Sequence, residues 1–93
     1  MDKAEAQKLV DTLTVTNVEH ITRFTIFNAD GTLALEEDIR TESQPMNIPV
    51  VGTKLVMESK SGAEGKGTVQ LVEQYNFPSV AGYIIFTAIT VKP

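Results

Sequence analysis

The sequence predicts a mainly β domain (α+β), with one N-terminal helix followed by about five antiparallel strands in a curled sheet or small open barrel. Residues 2–13 carry helical periodicity. Turn residues then divide 18–92 into short runs rich in β-branched and aromatic side chains. The last run, residues 83–91, is apolar on both strand faces and needs cover on both.

The helix rests on Ala6, Leu9, Val10 and Leu13, which fall on one stripe at i, i+3, i+4 and i+7. Lys3, Glu5 and Lys8 take the opposite face. Asp2 is placed to cap the first turn, with Glu5 following as in a capping box. Thr12, Thr14, Val15 and Thr16 favour extended chain, so the helix is expected to end near Leu13.

Residues 18–36 read as a β-hairpin. Ile21, Phe24, Ile26 and Phe27 are the apolar members of its first strand, and Leu33 and Leu35 those of its second. Between them, Asn28, Asp30 and Gly31 occupy the first, third and fourth positions of a type I turn closed by a glycine bulge.

Residues 37–49 read as an acidic, Pro-containing loop. Pro45 and Pro49 each remove a backbone donor and restrict the residue before them. A loop this long in a small domain is a candidate interaction segment or a mobile one. Residues 53–92 read as a three-stranded meander with strands at 53–59, 68–77 and 82–92. Glu73 interrupts the apolar face of the middle strand, so a bulge or a strand end is expected there. On the last strand Tyr83, Ile85, Ile89 and Val91 share one face, and Ile84, Phe86 and Ala88 the other. The core between strands covers one face. The helix stripe or a second subunit covers the other.

Pro49-Val50-Val51-Gly52 before a strand, a Gly-rich hairpin and two long strands resemble the architecture of SH3-like small barrels over the second half of the chain. Such barrels host unrelated functions, so the resemblance implies no functional residues.

A chain of 93 residues makes one domain, 1–93. Its 42% hydrophobic and 22% charged residues are those of a globular protein. The absence of Cys excludes disulfides, thiol catalysis and thiolate metal sites. The first residues lack the apolar run of a signal peptide, and the longest apolar stretch, 83–86, is far short of a membrane span. A soluble, cytoplasmic protein that does not bind membranes is expected. The net charge of −4 and the scattered basic residues disfavour nucleic acid as a partner.

Gly62, Gly65, Lys66 and Thr68 lack the spacing of a phosphate-binding loop, in which Ser or Thr directly follows Lys. Asn28, Asp30, Gly31 and Glu37 have offsets like those of a calcium loop, but Ile26 would occupy its first ligand position. His20 is the only histidine, and Glu19 beside it points to the opposite strand face. Tyr75, Phe77, Tyr83 and Phe86 lack the interleaved Lys of a nucleic-acid groove.

The reading is therefore a non-catalytic protein-binding or assembly module without a cofactor, metal or catalytic residue. A protein partner or a second copy of the chain would bind it. Ile84, Phe86 and Ala88 are the candidate interface, and Phe86→Lys is expected to disrupt assembly while leaving the fold. Glu36, Glu37, Asp38 and Glu42 form a candidate docking loop, and Lys60 and Lys66 a candidate hairpin loop. A small accessory protein of a phage or mobile element is one form this takes. The alternatives are a small-molecule binder or enzyme using His20, Asp30, Glu58 or Glu73 at the barrel mouth, and a single-stranded nucleic-acid binder using Arg23, Lys54, Lys60 and Lys66.

Overall fold

The structure, a computed structural model, describes residues 3–10, 18–42, 44–78 and 82–93. Its elements are α1 (Lys3–Val10), β1 (Val18–Phe27), β2 (Leu33–Glu42), β3 (Lys54–Glu58), β4 (Glu64–Pro78) and β5 (Tyr83–Lys92). The helix is found where its periodicity placed it, and its expected cap at Asp2 and end at Leu13 lie outside the described residues. The strands form one sheet in the order β2-β1-β5-β4-β3.

The sheet is mixed, which corrects the expectation of antiparallel strands throughout. β1 and β2 form the expected hairpin, and β3, β4 and β5 the expected antiparallel meander. The two units join through β1 and β5, which run parallel from Val18 opposite Tyr83 to Ile26 opposite Val91. Both strands are far apart in sequence, so no local signal sets their direction.

The first turn forms as its residues dictate. The Gly31 N–H donates to the Asn28 carbonyl at 3.0 Å, and the Asn28 N–H to the Thr32 carbonyl at 2.8 Å. Gly31 has φ 87°, a left-handed conformation that costs glycine little. The Asp30 carboxylate accepts from the Thr32 hydroxyl at 2.6 Å and the Thr32 N–H at 3.0 Å. The hairpin between β3 and β4 repeats these bonds: Gly62 N–H donates to Ser59 and Ser59 N–H to Ala63, at 3.0 and 2.7 Å.

The sheet curls until strands that are not neighbours touch. A Cβ on Gly65 of β4 would lie 2.9 Å from the Ile26 side chain of β1, although β5 runs between these strands. Gly67 passes closer still, since a Cβ there would lie 2.4 Å from the backbone oxygen of Lys92. The concave face holds one core cluster of Phe24, Ile26, Leu35, Val69, Ile89 and Val91. The convex face holds a second, of Ile21, Phe77, Ile84, Phe86 and Ala88, with Ala6 of α1 packed among them. The result is a half-barrel with open edges at β2 and β3.

Several expectations change here. The segment 37–42 is strand, not loop, because β2 pairs with β1 as far as Glu42 opposite Glu19. The remaining connection, from residue 44 to β3, runs between opposite edges of the sheet, which accounts for its length. Met46 and Ile48 pack against the concave core on the way. β4 begins at Glu64, so Lys66 lies in a strand and the hairpin loop shrinks to 59–63. Neither a bulge nor a strand end falls at Glu73: β4 runs on through it, and the bulge lies between Val69 and Leu71, where it sends Val69 to the concave face and Leu71 to the convex one. A further register shift places Leu33 opposite Phe27, and Leu33 is exposed while Leu35 is buried.

Ile84, Phe86 and Ala88 are buried inside the chain and offer no surface to a partner. Phe86→Lys is therefore expected to prevent folding, because it places an unpaired cation in a site of 0% exposure. Phe86→Ala should lose about 3–5 kcal/mol in denaturant unfolding. A native-like, stable Phe86→Lys chain would contradict this packing.

Asp30 is held below its ordinary carboxylate range by the Thr32 hydroxyl and then the Thr32 N–H. A depressed carboxylate stabilises the fold above its unfolded pKa and loses that contribution as pH falls through the folded value. Stability measured from pH 5 downwards (about 5 to 2) should therefore fall less steeply in Asp30→Ala than in the native chain. Identical slopes would show that the turn does not contribute.

Candidate functional site

The charges on β1 and β2 are largely satisfied within the chain. On the convex face, Arg23 of β1 sits opposite Asp38 of β2 and donates to both its carboxylate oxygens, at 2.7 and 2.9 Å. Glu36 lies 3.8 Å from the same guanidinium. Arg23 also lies over the Phe86 ring, 5.7 Å from its centre. Arg40 of β2 donates to both oxygens of the buried Glu19, each at 2.6 Å. The Asp38 and Glu19 hydrogen bonds raise both guanidinium pKa values above the ordinary one. Arg23 and Arg40 are the only arginines of the chain, and both are committed.

The acidic candidates Glu36, Glu37, Asp38 and Glu42 are thus strand residues. Asp38 and Glu36 serve Arg23, and Glu37 is half-buried on the other strand face. Glu42 is exposed at the strand end. Charged residues of this kind on an edge strand oppose further strand pairing.

The β3 edge is different. At one end of the strand the Val69 N–H donates to the Thr53 carbonyl at 2.9 Å, and at the other the Ser59 N–H donates to Ala63 at 2.7 Å. Because antiparallel bonding alternates, these fix the phase. Thr53, Leu55, Met57 and Ser59 bond towards β4. The N–H and C=O groups of Lys54, Val56 and Glu58 point away from it, to the side where no strand follows.

Grooves flank this edge on both faces. On the concave side a groove of about 390 Å³ is lined by Phe24, Met46, Ile48, Pro49, Leu55, Val56 and Met57. Its methionines are unbranched and adapt to differing partners. On the convex side a groove of about 340 Å³ runs along Lys54, Val56, Lys66, Thr68 and Pro93. Val56 lines both grooves and is 71% exposed. Val50 and Val51, in the turn leading into the strand, are 72% and 61% exposed.

Of the other candidates, Lys66 joins the β3 edge, while Lys60 is exposed on the adjoining turn. Lys54 lies beside Lys66, whereas Arg23 is held by Asp38 on β1. His20, Asp30, Glu58 and Glu73 line neither groove. Asp30 is bonded to Thr32, and Glu73 accepts from the Tyr75 hydroxyl at 2.8 Å. Among the described residues there is no group of His, Asp or Glu able to hold a metal ion, and no helix long and apolar enough to cross a membrane. Sequence reasoning missed Met46, Ile48 and the edge position of β3. The signal was present in Lys54, Val56 and Glu58, but its meaning depends on β3 being an edge.

In comparisons with known proteins, the chain matches no protein-family model, no curated protein and no solved structure.

Proposed function

We propose that this protein is a non-catalytic protein-binding or assembly module that accepts an extended segment of a partner along β3. The observation that carries this is the conjunction of free backbone groups and apolar relief at one edge. Lys54, Val56 and Glu58 offer N–H donors and C=O acceptors in strand geometry. The groove beneath them offers Phe24, Met46, Ile48, Leu55 and Met57 to alternate side chains of the added strand. Main-chain bonds supply affinity in such recognition, and the groove supplies specificity.

The edges of this sheet are unequal in a way that favours this reading. β2 carries Glu36, Glu37 and Asp38 in succession. β3 has an exposed valine at its centre, between charges of opposite sign.

The test is selection of peptides from a displayed random library by the full chain, followed by proline substitution in β3. Selected peptides should alternate apolar and polar residues. Val56→Pro removes an outward N–H only, so the chain should remain folded and lose peptide binding at least tenfold (about 1.4 kcal/mol). Leu55→Pro removes a bond to β4 and should destabilise the fold itself by about 3 kcal/mol. Full binding by a folded Val56→Pro chain would overturn the proposal, as would a library that yields no binder.

A further inference from the structure

The β3 edge is complementary to itself. Its outward positions read Lys54, Val56 and Glu58: a base, an apolar residue and an acid. An antiparallel copy presents these in reverse. With a two-fold axis at Val56, Lys54 meets Glu58 of the second copy, Val56 meets Val56, and Glu58 meets Lys54. These are also the residues whose N–H and C=O groups point outward, so each pair can exchange both its backbone bonds. Resting on the reading of β3 as a docking edge, we propose that the partner is a second copy of this chain. The β3 strands pair antiparallel across a two-fold axis, and the sheet continues from one copy into the other.

The charges around β3 support this occupant. Glu58 lies directly opposite Glu64 of β4, and like charges so placed repel. Lys54, Glu58 and Glu64 form no ion pair among the described residues. Lys54 of the second copy would bring the missing cation to Glu58 from its open side. On the concave side the same register sets Leu55 against Met57 of the second copy. The groove over Phe24, Met46 and Ile48 then becomes continuous across the axis. Pairing also covers Val56, the exposed apolar residue at the centre of the strand. An isologous contact of this kind closes on itself and does not propagate into a fibre.

The strand is five residues long. Its pairing buries less than the roughly 1,200 Å² at the lower bound of stable interfaces, so the dimer is concentration-dependent. The test is sedimentation equilibrium of the full chain from about 10 µM to 1 mM, a range that brackets weak association. The native chain should rise towards twice its own mass. Lys54→Glu and Glu58→Lys each set like charges against each other across the axis, and each should shift the midpoint at least tenfold upward. The double variant K54E/E58K restores opposite charges and should return to the native profile. An equimolar mixture of the single variants should associate more strongly than either alone. Circular dichroism checks that each chain is folded.

A native chain that stays monomeric throughout overturns the dimer, as do single variants with the native profile or a folded double variant that fails to recover. None of these results touches peptide binding at the same edge. A peptide-binding monomer would therefore refute the self-partner and keep the docking edge.

Discussion

Every other element is arranged around the double burial of β5. Ile84, Phe86 and Ala88 on one side and Ile89 and Val91 on the other are all withdrawn from water. A strand with two apolar faces cannot sit at an edge or on a one-sided sheet. β1 and β4 therefore flank it, the helix contributes Ala6 above it, and the curl of the sheet closes beneath it. The glycines of β4 permit that curl. Gly65 lets Ile26 approach and Gly67 lets the end of β5 approach, where any side chain would force the strands apart.

With β5 at the centre, β2 and β3 must be the edges, and the chain treats them differently. β2 is long; on the convex face its Glu36 and Asp38 are held by Arg23 of β1 and its Arg40 by Glu19 of β1, with Glu37 on the other face. β3 is short and keeps its charges unpaired on either side of Val56. The connection between these edges crosses the open side of the half-barrel and brings Met46 and Ile48 beneath β3. The same topology that leaves an edge open thus also furnishes the groove beside it.

What could be read from the sequence was local. The turn at Asn28 to Gly31 forms as read, because its bonds join residues four positions apart or fewer. The two-faced character of the last strand was also legible, since alternation needs no knowledge of partners. The acidic run misled because its strand nature depends on pairing with β1, where Arg23, the residue opposite Asp38, lies fifteen positions away in sequence. The parallel pairing of β1 with β5 was invisible for the same reason. Gly65 and Gly67 belong to the segment read as a Gly-rich hairpin and prove to be points of close passage between strands. Of the candidate site, Lys66 was visible as a charge, but not as the neighbour of Val56 across a strand pair. Ile84, Phe86 and Ala88 were recognised as needing cover, and the structure supplies that cover from within the chain.

The chain thus covers both faces of β5 by itself and leaves the outward backbone groups of β3 open. Residue-resolved amide hydrogen exchange on the dilute chain tests it most directly. Exchange should alternate along β3, rapid at Lys54, Val56 and Glu58 and protected at Leu55 and Met57. The amides of β5 should be the slowest of all, near the global unfolding limit. Protection of Val56 equal to that of Leu55 at the lowest concentration would instead mean that the chain already covers this edge and that β3 is not open.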